Sequence, residues 1–267
     1  MSETPLTKKS LGQHWLHDGE ALRDIADAAE ISGEDTVLEV GPGTGTLTRV
    51  LTERAKHVVA VEVDESLIEN LMTRKIGPLA SGNLQLVKGS ILDFDLTDLP
   101  AGYKVVANIP YYLTSKLVRT LSESINPPSI AVLLVQKEVA ERIAATPGKM
   151  SLLSVSAQYY FETSLGREVK RNLFSPPPKV DSQVIILKHR DQPLFPEVNA
   201  KEFFRIVKAG FSNRRKTLLN SLSAGLLGSK PEVVGAIAQA GLKPGSRPQE
   251  LSLQDWHSLY KQLAKLA

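Results

Sequence analysis

The chain has no cysteine among its 267 residues, which excludes disulfides, thiolate metal sites and cysteine nucleophiles together. Its five histidines, at positions 14, 17, 57, 189 and 257, show no metal-ligand spacing, and no Ser-His-Asp constellation is legible. Neither metal-assisted nor covalent catalysis is therefore expected. No apolar run approaches the ~18 residues of a membrane span. The opening MSETPLTKKSLGQHWL also lacks the apolar core of a signal peptide, so a cytoplasmic protein without membrane contact is expected. No internal repeat or low-complexity segment is present. What remains is a globular composition, 42% hydrophobic and 23% charged. The length suits one large domain, or a domain with a small partner.

The first 190 residues alternate β-branched runs, at 36–40, 57–63, 84–87, 103–107 and 130–135, with amphipathic stretches at 21–29, 47–54, 66–75, 115–121 and 137–145. That rhythm predicts a mostly parallel sheet with helices on both faces. Two more strands are expected around 154–161 and 180–188. A Pro-rich loop rather than a helix separates them (Phe174-Ser-Pro-Pro-Pro-Lys179), which suits an antiparallel hairpin at the sheet edge. After Arg190, Asp-Gln-Pro-Leu-Phe-Pro reads as a linker, and the remainder reads as helices only. The expected division is a domain over 1–193 and a small all-α domain over 194–267.

The strongest local signal is Thr36-Val-Leu-Glu-Val-Gly-Pro-Gly-Thr-Gly-Thr-Leu-Thr48. A strand runs into Gly41-x-Gly43-x-Gly45, where missing Cβ atoms allow a tight turn and close approach of a ligand. An ordinary turn between strand and helix would read the same way, but two acids add to it. Glu39 precedes the turn, and Glu62 ends the next strand 21 residues after Gly41, where a carboxylate can accept both hydroxyls of a ribose. Pro42 removes a backbone donor that a pyrophosphate would want, which points away from a nicotinamide dinucleotide. The E-x-G-x-G-x-G string resembles motif I of the class I methyltransferases, whose cofactor, S-adenosylmethionine, carries no phosphate.

The next strand empties into Asn108-Ile-Pro-Tyr111, on a loop expected to face the same crevice. Asn108-Ile-Pro-Tyr111 resembles the motif of the amino methyltransferases, in the form found in ribosomal RNA adenine enzymes. The resemblance implies an exocyclic adenine amine as acceptor, a poor nucleophile because its lone pair is conjugated into the ring. An Asn carbonyl and a neighbouring main-chain carbonyl can accept its two N–H bonds and favour a pyramidal nitrogen. Pro110 can hold those acceptors in place by a cis or kinked geometry. Tyr111 offers a face for an extruded base. The roles are positioning and electrostatics rather than acid–base catalysis.

Five segments together resemble the small-subunit ribosomal RNA adenine N6,N6-dimethyltransferases, over nearly the full length. They are Lys8-Lys-Ser-Leu-Gly-Gln-His-Trp-Leu16, the glycine turn, Asn108-Ile-Pro-Tyr111, Phe174-Ser-Pro-Pro-Pro-Lys-Val-Asp-Ser182 and Phe211-Ser-Asn-Arg-Arg-Lys-Thr-Leu-Leu-Asn220. The resemblance implies a Rossmann-like seven-stranded sheet with a small helical C-terminal domain. It implies dimethylation of N6 of two adjacent adenosines near the 3′ end of 16S ribosomal RNA, within a small (30S) subunit or its precursor, with S-adenosylhomocysteine as second product. Gln13, His14 and Leu16 would line the methionine end of the cofactor. Glu39, Gly41, Gly43, Glu62, Ser90, Ile91 and Asn108 would complete its site, and Phe174 would close over the target base beside Asn108, Pro110 and Tyr111. Ser90 is a departure, since the family usually places an acid there; a hydroxyl is a weaker acceptor for the cofactor's adenine amine. Trp15 stands where Phe is usual.

The formal charge of +3 hides a division. From Asp191 onward eleven basic residues face six acidic ones, a balance of +5, while the preceding 190 residues stand at −2. Between Lys201 and Lys216 there are six positives and one acid. Phe211, Leu218 and Leu222 recur at helical spacing, so Arg214, Arg215 and Lys216 are expected to fan over about 200° of one helix. With an adenine pocket attached, Lys208, Arg214, Arg215 and Lys216 become candidate RNA contacts. Nothing in the sequence suggests a dimer, and a monomer is expected. Three alternatives stay open: the related large-subunit enzyme of macrolide resistance, an assembly checkpoint that binds immature subunits, and a dehydrogenase disfavoured by Pro42.

Overall fold

The computed structural model describes residues 12–73, 82–213, 215–225 and 229–265. Residues 8–11 of the first motif, the end of the amphipathic stretch beyond 73, and Arg214 lie outside these. The chain forms two compact units, 1–141 with 161–189, and 142–160 with 190–267.

The first unit contains β1 (Trp15–Leu16), α1 (Gly19–Ala28), β2 (Thr36–Val40), α2 (Thr46–Thr52), β3 (His57–Glu62), α3 (Glu65–Thr73), β4 (Leu84–Lys88), β5 (Lys104–Asn108), α4 (Thr114–Glu123), β6 (Ile130–Gln136) and the start of α5 (Lys137–Ile143). Its seven-stranded sheet has the order β4-β3-β2-β5-β6-β9-β7, where β7 is Phe161–Val169 and β9 is Ser182–His189. Pairing is parallel from β4 to β6 and antiparallel from β6 to β9 and β9 to β7. Strand order reverses between β2 and β5, so the C-terminal ends of β2, β3, β4 and β5 share one edge around a switch point, where open α/β sheets bind ligands. One sheet face carries Val37, Val58, Val106, Val132 and Val184 against Leu22, Ile25, Leu47 and Leu51 of α1 and α2. Outside the sheet, β1 pairs antiparallel with β8 (Phe174–Ser175), bringing Leu16 opposite Phe174.

The second unit holds α6 (Leu152–Tyr160), α7 (Ala200–Gly210), α8 (Leu218–Gly225), α9 (Lys230–Gln239) and α10 (Leu253–Leu263). Two expectations change here. Residues 152–160 are helical, not a strand, and the edge strand starts only at Phe161. Ser151 and Ser154 exchange backbone and hydroxyl hydrogen bonds at the start of α6. Val155 and Tyr159, four residues apart, turn into one cluster, where Tyr159 stacks on Phe203 at 5.2 Å. For the same reason the boundary expected at 193 does not describe the packing: Ala145, Met150, Val155 and Tyr159 share a core with Phe195, Phe203, Leu222 and Trp256.

The single helix expected through 211–222 is instead two. Phe211 closes α7, and Asn213 forms a turn, its Oδ1 accepting from the Arg215 N–H at 3.3 Å and its carbonyl from the Lys216 N–H at 3.2 Å. Side-chain and main-chain acceptors of an Asn compete with helix continuation in this way.

Candidate active site

At the switch point the residues after β2 are held by glycine conformations. Gly41, Gly43 and Gly45 have φ of +70°, +55° and +82°. A Cβ on Gly41 would stand in open space over the cavity, whereas one on Gly43 would come within 2.5 Å of the Trp15 ring. The family's usual Phe is thus replaced by a ring that lies directly on the turn. Thr46 Oγ1 donates to the Leu16 carbonyl at 3.1 Å, tying the same N-terminal segment to the start of α2.

Two acids face this cavity with different partners. Glu62 accepts the N–H groups of Val63 and Asp64 on Oε1, both at 2.9 Å, and that of Gly43 on Oε2 at 3.3 Å. Burial raises its pKa, while those three donors pull it back and the Asp64 charge adds to the rise. Glu39 is 1% exposed, and its Oε2 has no hydrogen-bond partner among the described residues. Burial pushes its carboxyl up to about 8, with the Thr48 hydroxyl opposing and the Glu62 charge adding to the shift. A turn amide already committed to the Glu62 carboxylate is not free to bind a pyrophosphate.

The other wall comes from β5 and the N-terminal segment. Asn108 ends β5 and donates Nδ2 to the His14 carbonyl at 3.3 Å, so its Oδ1 acceptor turns the other way. Ile109–Pro110 is trans, and the kink is a 3-10 turn in which the Leu113 N–H bonds the Pro110 carbonyl at 2.9 Å. The cis bond lies elsewhere, at Ser175–Pro176. Tyr111 is pinned by a 2.8 Å hydrogen bond between its hydroxyl and Ser182 Oγ, and its ring stacks on His14 with centroids 6.0 Å apart. Burial raises the Tyr111 phenol above its usual range, the Ser182 bond lowers it, and the Asp181 charge raises it. His14 Nδ1 lies 2.8 Å from the Pro176 carbonyl; a carbonyl only accepts, so Nδ1 carries the proton.

The cavity is lined by Gln13, His14, Leu16, Glu39, Gly41, Gly43, Glu62, Ser90, Ile91, Asn108, Pro110 and Tyr111, all expected from the sequence. Phe174 is not among its lining residues. It is 5% exposed and packs with Leu16, Leu22 and Leu47, because its pairing in β8 turns the ring into that core. Lys208, Arg215 and Lys216 lie exposed in the second unit, on α7 and in the turn after it. Three contributors were missed. Asp64 starts α3 by accepting from Ser66 and binds Gln13 Nε2 at 3.2 Å, and the helix-start signal Asp-Glu-Ser could have revealed it. Ser182 lies inside a quoted motif, and Tyr112 adjoins one.

Fold and cavity together define a class I methyltransferase. The model of the family described as ribosomal RNA adenine dimethylase matches residues 5–265, and the chain belongs to that family. It is 40% identical over 271 residues to ribosomal RNA small subunit methyltransferase A of Lactococcus lactis subsp. lactis, covering 97% of this chain and 90% of that one. The enzyme of the same name from Dehalococcoides mccartyi is 40% identical over 255 residues, 94% of this chain and 87% of its own. A dimethyladenosine transferase from Plasmodium falciparum superimposes with a TM-score of 0.77 at 28% identity, over 94% of this chain and 97% of that one. The 23S rRNA methyltransferase ErmE gives 0.74 at 29% identity, over 94% and 99%.

Proposed function

We propose that this chain transfers methyl groups from S-adenosylmethionine to N6 of two adjacent adenosines near the 3′ end of 16S ribosomal RNA during small-subunit biogenesis. The observation that carries the reading is that Asn108, anchored through Nδ2 to His14, faces the cavity that also holds the glycine turn, Glu39 and Glu62. The 40% identity to small-subunit enzymes, against 29% to a 23S enzyme, favours the small subunit as substrate.

The residues present fit that cofactor. The bare surface of Gly41 accepts close approach, and Glu62 can take ribose hydroxyls. Gln13, His14 and Leu16 line the methionine end, and Ser90 and Ile91 the adenine end. When bound, the cofactor supplies an electrophilic methyl on a sulfonium. The chain's work is then to orient the amine. Asn108 Oδ1 accepts a hydrogen bond from one N6–H, and the Ile109 carbonyl accepts one from the other, since the Pro110 carbonyl is engaged by Leu113. Tyr111, fixed by Ser182 and His14, presents a rigid ring to the extruded base, and Phe174 lies opposite Leu16 in the short ladder. Lys208, Arg214, Arg215 and Lys216 are assigned to RNA phosphates on the second unit, 142–160 with 190–267, and the enzyme works as a monomer in the cytoplasm.

Undermethylated small subunits, incubated with labelled cofactor and mapped for modified bases, test the reading. Label on the two adjacent adenosines is expected, and label on other bases or none would reject it. Asn108→Ala is expected to lower the rate at least ~100-fold, the scale of losing one preorganised polar partner. Subunit binding should persist in that variant, which separates catalysis from an assembly-checkpoint role.

A further inference from the structure

Of the side chains lining the cavity, the large apolar ones left exposed are Val63, Leu92 and Tyr112, at 55%, 37% and 62%. Tyr112 stands apart as an aromatic ring on the very turn that carries Asn108–Tyr111. Its hydroxyl makes no hydrogen bond among the described residues, in contrast to the Tyr111 hydroxyl on Ser182. Beside it lies Gly12, at φ +61°, where a Cβ would stand 3.9 Å from the ring carbons Cδ1 and Cε1. The residue next to the ring is thus one whose left-handed backbone favours glycine and which adds no side chain over it. An exposed aromatic at the rim of a binding cavity is surface that awaits a partner.

The partner follows from the substrate, and the inference rests on the adenosine reading above. Extruding one base into the cavity breaks its stack with its neighbour, leaving the neighbour's face bare at the mouth. We propose that Tyr112 is a stacking platform for the nucleotide flanking the target adenosine. The ring replaces the lost base stack and keeps the strand in place while the target occupies the cavity. The platform has one fixed place beside the cavity, so it stacks the nucleotide on one side of whichever adenosine is extruded, a different nucleotide in each of the two methylations. Tyr112 is a positioning residue: it takes no proton and faces no reacting atom.

The test uses the full enzyme with small subunits reconstituted from unmethylated transcript. Tyr112→Ala is expected to lower kcat/KM for subunits by roughly 5- to 150-fold, the factor corresponding to one base–aromatic stack. Tyr112→Phe and Tyr112→Trp should stay within about 2-fold of the parent, because the face is what matters. Cofactor affinity by calorimetry should not change in any of them. In subunits where the neighbour of the target is abasic, Tyr112→Ala should have no further effect, as two halves of one contact are non-additive. The proposal is overturned by an alanine variant within about 2-fold of the parent, by a phenylalanine variant as poor as alanine, by lost cofactor affinity, or by additivity with the abasic site. Failure of the parent enzyme to label adenosine would instead overturn the functional reading itself.

Discussion

Glu39 is a carboxylic acid kept from water, and its effect on stability has a definite sign. A carboxyl that titrates at about 8 in the native state and near 4.5 when unfolded binds more protons folded than unfolded between those pH values. Native stability of the ligand-free protein therefore falls as pH rises through that window. Glu39→Gln removes the titration while keeping the shape. Its stability relative to the parent should improve by roughly 1–3 kcal/mol between pH 5 and pH 8, read from denaturant melts at both pH values. Any constant cost of the buried amide cancels in that difference, and a gap that does not change with pH would contradict the argument. Glu62 shifts in the same direction, but its three backbone donors moderate it, so Glu39 is the residue to change.

Glycines at element ends separate binding from folding. Gly43 sits in the turn before α2 with φ +55° and with Trp15 where a Cβ would go, so alanine there is both strained and obstructed. Gly210 ends α7 in the second unit, and a Cβ there would collide with the buried ring of Trp256. Both substitutions should destabilise by about 1–3 kcal/mol, the scale of overpacking. Only Gly43→Ala should also weaken cofactor binding in calorimetry at a temperature where both variants are folded. Equal cofactor affinity in the two would show that the turn is not the cofactor's cradle. The same scale explains the strand expected over 154–161: its alternation is local, while Tyr159 reaches Phe203 and Phe195, far away in the chain.

Charge acts over the whole molecule. The +3 total divides into a slightly acidic first 190 residues and a tail of +5, and that tail supplies the exposed Lys208, Arg215 and Lys216. Binding of small subunits should weaken steeply with salt as counterions are exchanged for these side chains. Replacing Lys208, Arg215 and Lys216 with alanine should flatten the slope of log K against log[salt] by about 0.7–0.9 for each that meets a phosphate. A slope unchanged in the triple variant would place the RNA elsewhere. Cofactor affinity should be unaffected, because none of the three lines the cavity. Among the described residues no helix is long and apolar enough to cross a membrane.

Much of this molecule was legible before any tertiary information. Strand and helix periods, the glycine trio, Glu62 at its spacing and Asn108-Ile-Pro-Tyr111 are short-range features, and each lies where its own neighbours in sequence direct it. Because parallel strands share one edge, knowing their C-terminal residues was enough to know most of the cavity wall. What only the tertiary structure decided concerns burial and partners. It turned Phe174 into the core and left Tyr112 at the rim, drew 142–160 into the second unit, and isolated an oxygen of Glu39. A residue's type and period specify its backbone and the face it prefers. Which face is covered, and by what, depends on contacts between segments remote in the chain, and no local pattern contains those.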